Sequence, residues 1–150
     1  MSKVGANVLL IEDDVALHQF WSFLIKKIHP NSAISVTTNA EDAERLISNA
    51  LESPSPFDLV ISNLFLKGEM TGLELWKLFS ESEILFPQFI IVSSVPITEY
   101  ERLVSDEKRK PFFVRKPLDP NFCGNLISKT FFEIFQRTQM QENLKGRTIT

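Results

Sequence analysis

Five polar residues lie at the ends of short apolar segments, where they could handle a phosphoryl group. They are Glu12, Asp13, Asn63, Ser93 and Lys116. Paired carboxylates offer the hard oxygen ligands that Mg²⁺ prefers. A hydroxyl and an ammonium group opposite them suit phosphoryl oxygens. These residue types predict a site for Mg²⁺ and a phosphoryl group.

The residue in the middle of this set, Asn63, has the wrong chemistry for a phosphoryl acceptor. A carboxylate oxygen can attack phosphorus, whereas the oxygen of a neutral amide cannot. Deamidation is not expected to supply the carboxylate, because Leu64 rather than glycine follows. Ser62 is one residue away, but strand alternation directs its side chain to the other face. We therefore expect no phosphorylation at Asn63.

The elements that position these residues follow from the hydrophobic pattern. Short apolar runs predict strands at residues 8–11, 33–37, 57–61, 89–92 and 111–114. Amphipathic stretches predict helices at residues 15–28, 39–51, 73–79, 96–106 and 121 to about 139. The weakly apolar second strand suits a sheet edge. Residues 1–139 are expected to form one domain, and residues 140–150 a loose tail.

Continuous rather than alternating apolar strands imply a parallel sheet that is covered on both faces. With right-handed crossovers, the predicted fold is α/β: a doubly wound, five-stranded parallel sheet with five helices. Such sheets bind ligands beyond the carboxyl ends of their strands. The five polar residues follow those ends, so the pattern places them in one crevice.

Composition narrows the class of protein. The chain of 150 residues has a formal net charge of −3, and its basic residues form no long stripe, which disfavours nucleic-acid binding. No apolar stretch is long enough to span a bilayer, and residues 1–6 lack the apolar core of a secretory signal. The one cysteine, Cys123, suits a reducing compartment and reads as a small buried hydrophobe. We expect a cytoplasmic protein without a membrane partner.

The arrangement of motifs resembles the receiver domains of bacterial two-component response regulators, over the chain up to about residue 139. The matching pieces are residues 8–14, 58–66, 71–75, 90–94 and 113–117. The resemblance implies the flavodoxin-like fold with sheet order 2-1-3-4-5. It also implies a role in phosphorelay signal transduction.

The resemblance implies a role for each residue of the site. Glu12 and Asp13 match the acidic pair that binds Mg²⁺, and the Phe65 carbonyl matches the backbone metal ligand. Asn63 matches the phosphoacceptor. The switch hydroxyl, the switch aromatic and the phosphate-contacting lysine are matched by Ser93, Phe113 and Lys116. The family also has a cis peptide at the position of Lys116–Pro117.

The sequence departs from the family's pattern at three places, and with the first of them, Asn63, it resembles a pseudo-receiver. Asn63 replaces the aspartate, Lys67 stands where many receivers have proline, and Phe113 lacks the hydroxyl of the common tyrosine. Losing a unit charge about 4 Å from a cation costs on the order of several kcal/mol at an effective dielectric constant near 20. Mg²⁺ is therefore expected to bind weakly at best.

Two interpretations of Asn63 stay open. On the first, it is a near-isosteric relic held by hydrogen bonds to Lys116 and Ser93, in a site that lost its chemistry. Alternatively it locks one conformation or serves a ligand other than phosphate.

The aromatic residues near the end of the chain also allow two interpretations. Phe131 and Phe132 cannot both face the core of a helix that packs on one side. One ring then simply lies on the surface, or it belongs to an apolar patch for dimerisation or docking.

Three functions compete at this level. The first is a stand-alone, phosphorylation-independent receiver that is not an enzyme and acts by binding a protein. Its partner would be a histidine kinase, a phosphotransfer protein or an output protein, or a second copy of the chain bound through the last strand and helix. The second is a Mg²⁺-dependent phosphotransfer receiver with an atypical acceptor. The third is a small-molecule-binding α/β domain, although the first strand is followed by no Gly-rich phosphate loop.

Overall fold

The fold is an open parallel sheet of five strands in the order β2-β1-β3-β4-β5, as the sequence predicts. The computed structural model describes residues 5–81, 87–107 and 109–148. Residues 1–4 and the last two residues of the predicted tail, 149 and 150, therefore lie outside the described part. The strands are β1 Asn7–Ile11, β2 Ala33–Thr37, β3 Leu59–Asn63, β4 Gln88–Ser93 and β5 Phe112–Arg115. The helices are α1 Val15–Ile28, α2 Ala40–Leu51, α3 Gly72–Ser80, α4 Ile97–Leu103 and α5 Pro120–Thr148.

Side-chain alternation along the strands creates a separate core on each face of the sheet. Leu10 and Ile61 pack on the side of α1 and α5, where Trp21 is buried. Leu9 and Val60 pack on the side of α2, α3 and α4. Because both faces are covered, the central strands have no solvent-facing side and read as continuous apolar runs.

Polar caps define where three of the helices start, after the loops that follow the carboxyl ends of β1, β2 and β3. Asp14 accepts a hydrogen bond from the Ala16 N–H at the start of α1. Asn39 precedes the acidic residues Glu41 and Asp42, a pattern that predicts a cap, and its side chain accepts the Asp42 N–H at the start of α2. Thr71 and Glu74 form a capping box at α3. These caps satisfy backbone N–H groups that a helix leaves unpaired, and they hold the loops of the carboxyl edge, which we define as the edge formed by the carboxyl ends of the strands.

The structure corrects the end of the last helix. The sequence predicts an end near residue 139 followed by a loose tail, but α5 continues to Thr148. The core-facing stripe of α5 fades beyond Ile134, which suggested an end. Residues 139–145 nevertheless include Gln, Met, Glu, Leu and Lys, which are good helix formers, and contain neither glycine nor proline.

Two smaller predictions were also inexact. Strand β3 is displaced by two residues from its predicted bounds and includes Asn63 itself. The spacing of apolar residues along α2 predicts that Leu46 faces the core with Ala43 and Ile47, but the Leu46 side chain is exposed. Trp21 and Trp76 fit apolar helix faces, which predicts burial, and both are buried, as is Cys123.

Candidate functional site

Asn63 and Glu12 contact each other across the neighbouring strands β1 and β3. The Asn63 Nδ2 amide donates a hydrogen bond to Glu12 Oε1 at 2.6 Å. The same carboxylate oxygen accepts the Asp14 backbone N–H at 3.0 Å. Both side chains are buried, at 5 % exposure for Glu12 and 7 % for Asn63. Hydrogen bonds to an ionised carboxylate are among the stronger ones in proteins, so this contact joins β1 and β3 at the site.

The environment of Glu12 opposes its negative charge. Burial raises the pKa of Glu12 above its ordinary value, and the hydrogen bonds from Asp14 and Asn63 and the positive charge of Lys116 offset part of the increase. The negative charge of Asp13 adds to the increase. The charges of Asp13 and Lys116 therefore both act at Glu12.

The contact contradicts the expectation that Asn63 is held by Lys116 and Ser93. Its amide N–H instead points to Glu12. The other half of the amide, Asn63 Oδ1, is buried without a hydrogen-bond partner in the described part of the chain. An unsatisfied buried acceptor costs about 1–3 kcal/mol.

Ser93 and Lys116 are brought together by the pairing of β4 with β5. The Lys116 backbone N–H donates to the Ser93 carbonyl oxygen at 2.9 Å. Ser93 is buried, and its Oγ accepts the Val95 N–H at 3.3 Å. The Lys116–Pro117 peptide bond is cis, as the resemblance implied. The structure thus gathers these predicted residues at the carboxyl edge, while their roles in switching and phosphate contact stay predictions.

The loop between β3 and α3 is tied to its surroundings at both ends. Near its start the Leu64 N–H donates to the Val92 carbonyl, and at its end the Gly72 N–H donates to the Leu64 carbonyl. Gly72 cannot carry a side chain, because a Cβ there would lie 2.2 Å from the Asn63 carbonyl oxygen. The close approach of α3 therefore supports the backbone of Asn63 directly.

A carboxylate on α2, Glu41, holds the middle of the same loop. Its Oε1 accepts the backbone N–H groups of Glu69, at 3.2 Å, and Met70, at 3.0 Å. A hydrogen bond from the backbone of Glu41 itself, followed by those from Met70 and Glu69, lowers the pKa of Glu41. Gly68, at φ +100°, passes close to the carboxylate. Nothing in the sequence indicates this contact beyond the position of Glu41 in the first turn of a helix.

Phe113, the predicted switch aromatic, is held by a residue that the sequence did not single out. Its ring stacks on Tyr100 of α4, with ring centroids 4.2 Å apart and planes 14° apart. Tyr100 is buried and donates from its hydroxyl to the Pro111 carbonyl at 2.8 Å. Burial raises the pKa of Tyr100, so it stays protonated as a donor. The stack joins α4 to β5 beside the site.

The donor set does not fit the divalent metal that the resemblance implies. Among the described residues, no three His, Cys, Asp or Glu side chains are grouped to hold a metal ion. Glu12 Oε1 already accepts two N–H groups. Asn63 turns its N–H side rather than its oxygen toward Glu12. Metal coordination by Asp13 or by the Phe65 carbonyl stays a prediction that no contact supports.

Aromatic side chains near the end of the chain divide between core and surface. Phe131 is fully buried, whereas its neighbour Phe132 is 62 % exposed on α5. This confirms that the two rings cannot both face the core. Phe112 on β5 is 47 % exposed. We name Phe112 and Phe132 the carboxy-terminal aromatic pair.

Comparison with solved structures identifies the class of fold. The response regulatory domain of protein mrkE from Klebsiella pneumoniae superimposes with a TM-score of 0.69 at 15 % identity, covering 87 % of this chain and 98 % of that one. The chemotaxis response regulator CheY4 of Vibrio cholerae gives 0.64 at 18 % identity, covering 83 % and 98 %. The chain therefore has the flavodoxin-like fold of receiver domains.

A larger protein shares the fold over part of its length. The response regulator PhyR from Brucella abortus gives a TM-score of 0.65 at 20 % identity, with 95 % of this chain covered. Only 54 % of PhyR is covered, so the chain spans about half of that protein. No protein-family model and no curated protein sequence matches the chain. In the described residues, no helix combines the length and the apolarity needed to cross a membrane.

Proposed function

We propose that the chain is a receiver-like signalling domain that is not phosphorylated at the usual position and acts by binding other proteins. On this proposal it is not an enzyme and works in the cytoplasm. Its partner is a histidine kinase, a phosphotransfer protein, an output protein or a second copy of the chain. The receiver fold supports the general class, and the site supports the mode of action.

The observation that carries the proposal is the contact between Asn63 and Glu12. The residue that stands where receivers carry the acceptor offers a neutral amide, which is not a nucleophile toward phosphorus. Its N–H is directed at the carboxylate that would otherwise face a metal. Both changes remove phosphoryl chemistry while keeping the buried site closed. The scaffold then remains available for binding.

Intact-mass measurement tests this proposal. The purified protein is incubated with acetyl phosphate and Mg²⁺, and the mass is followed over time. No phosphoryl adduct is expected. An adduct, whether stable or transient, would contradict the proposal and support a phosphotransfer receiver with an atypical acceptor.

The Asn63→Asp variant supplies the matched control for the same measurement. It restores a nucleophilic carboxylate while Glu12, Asp13, Ser93 and Lys116 stay in place. Labelling of the variant shows that the rest of the pocket is competent, so that absence of labelling in the native protein is due to Asn63. Labelling of both proteins to the same extent would place the acceptor elsewhere and overturn the argument from Asn63.

The carboxy-terminal aromatic pair tests whether the bound partner is a second copy. Exposed aromatic residues are enriched at protein interfaces. If the pair mediates self-association, Phe132→Ser shifts the mass measured by light scattering from dimer to monomer. Phe23→Ser removes a similarly exposed ring on α1 and serves as the control. A native protein that is monomeric at high concentration excludes the self-dimer and leaves a different protein as partner.

A further inference from the structure

The charges at the candidate site do not balance. Glu12, Asp13 and Asp14 are three consecutive carboxylates, and Lys116 supplies one positive charge that acts on Glu12. No ion pair within 4 Å joins Lys116 to a carboxylate among the described residues. The site therefore keeps surplus negative charge.

A second observation points independently to a missing donor. Asn63 is more than nine-tenths buried, yet its Oδ1 atom accepts no hydrogen bond in the described part of the chain. Buried acceptors are normally satisfied by protein or water, because an unsatisfied one is costly. The side chain that leaves this acceptor open also contacts Glu12, a member of the acidic set. The site therefore combines surplus negative charge with an unused acceptor.

A guanidinium group meets both needs at once. It carries one positive charge and five N–H donors in a planar fork, so it can donate to the amide oxygen and to a carboxylate together. It is also more weakly hydrated than an ammonium ion, which lowers the cost of entering a buried site.

The surroundings of the site suit an approaching side chain. Asp13 and Asp14 are exposed beside the buried Glu12. Phe65, two residues beyond Asn63, is 60 % exposed on the loop held by Glu41. Guanidinium groups are attracted both to carboxylates and to the faces of aromatic rings.

We propose that the carboxyl edge around Asn63 receives an arginine side chain of a partner protein, whose guanidinium group takes the place that a metal holds in phosphorylatable receivers. This inference rests on the proposed binding function and names the chemistry of the partner. Arginine donates to Asn63 Oδ1 and to Asp13, while Phe65 contacts its guanidinium plane or its apolar stem. Entry requires a small opening, since Oδ1 is covered in the free protein.

Titration with small cations tests the proposal on the full chain. Methylguanidinium chloride, KCl and MgCl₂ are added separately at matched ionic strength, and the ¹⁵N–¹H signals of the Asn63 side chain and the Asp13 backbone are followed. Methylguanidinium is expected to shift both signals saturably, and the two metal salts are not. A tighter response to K⁺ or to Mg²⁺, or no saturable response to methylguanidinium, overturns the proposal.

Three variants make the result specific. Asp13→Asn is expected to raise the methylguanidinium midpoint about tenfold, because a charged hydrogen bond is lost. Asp106→Asn removes an exposed carboxylate at the end of α4 and should leave the midpoint unchanged. Asn63→Asp should reverse the preference toward Mg²⁺. Equal effects of Asp13→Asn and Asp106→Asn would show that only general electrostatics is measured, and would also overturn the proposal.

This experiment is separable from the test of the proposed function. A phosphoryl adduct on the native protein contradicts the proposed function, whatever the result of the cation titration. A native protein that stays unlabelled and does not respond to methylguanidinium agrees with the proposed function and contradicts only the binding of an arginine.

Discussion

The side-chain amide of Asn63 donates a hydrogen bond to the carboxylate of Glu12 at 2.6 Å, and this contact joins the neighbouring strands β1 and β3. A phosphorylation site would have a carboxylate at each of these two positions and would have to hold their like charges apart. In a site with aspartate at this position, a cation must separate the two carboxylates, because like charges in contact repel each other strongly. The amide converts that repulsion into attraction. The Glu12 carboxylate thereby has a hydrogen-bond partner within the protein itself.

The first prediction is that Asn63→Asp makes stability depend on Mg²⁺. The variant places two carboxylates in contact and loses the hydrogen bond, so its free energy of unfolding should fall by about 1–3 kcal/mol without metal. Mg²⁺ should restore much of this loss by binding the folded state. Urea unfolding near pH 8, with Mg²⁺ compared with NaCl of equal ionic strength, measures the difference. The native protein should respond equally to both salts, and a Mg²⁺-specific gain in the native protein would contradict a metal-independent site.

The second prediction concerns pH. Burial holds the pKa of Glu12 above its ordinary value of 4.5, so the folded state binds the proton more tightly than the unfolded chain. The stabilisation from this group is fully present below pH 4.5 and is lost as the pH rises through the raised pKa. Glu12→Gln cannot titrate and should lack this loss.

The difference between the two unfolding curves measures this effect. The free energy of unfolding of native protein minus that of Glu12→Gln should decline as the pH rises from below 4.5 through the raised pKa. Other titrating groups are common to both proteins and cancel. A difference that stays flat, or that grows with pH, would show that the hydrogen bonds to Glu12 outweigh its burial.

Much of the fold can be predicted from the sequence, because strands and helices are marked by the local spacing of apolar and polar residues. Continuous apolar runs predict the buried strands, and the polar residues after them mark the carboxyl edge. The orientation of the Asn63 amide is different, since it depends on the distance to Glu12 across two strands and on the charge around it. The stack of Tyr100 on Phe113 also joins two separate elements, α4 and β5, and no local pattern in the sequence predicts it. The end of α5 was missed because a helix can continue on propensity after its apolar stripe fades.

The third prediction concerns the backbone beneath Asn63. In Gly72→Ala the new Cβ would lie 2.2 Å from the Asn63 carbonyl oxygen and 2.6 Å from Ser62 Oγ. Since the nearest atom belongs to the backbone, α3 or β3 must shift, and about 1–3 kcal/mol or more of stability should be lost.

Gly124→Ala is the matched control for this substitution. Gly124 lies within α5, and a Cβ there meets no atom within 4 Å. Replacing a helical glycine by alanine should stabilise the protein by about 0.5–1 kcal/mol. Urea unfolding should therefore move the midpoints of the two variants in opposite directions. A neutral Gly72→Ala would mean that α3 does not support Asn63 as closely as the structure shows.

The fourth prediction separates the two contacts that Tyr100 makes. Tyr100→Phe keeps the stack on Phe113 but leaves the Pro111 carbonyl without its donor, so about 0.5–1.5 kcal/mol of stability should be lost. Tyr100→Ala also removes the buried ring and leaves a cavity, at a cost of about 3–5 kcal/mol. Chemical denaturation of both variants measures these losses. If Tyr100→Phe were as damaging as Tyr100→Ala, the hydroxyl rather than the stack would hold α4 against β5, and Phe113 would then be freer to move than its 4.2 Å contact implies.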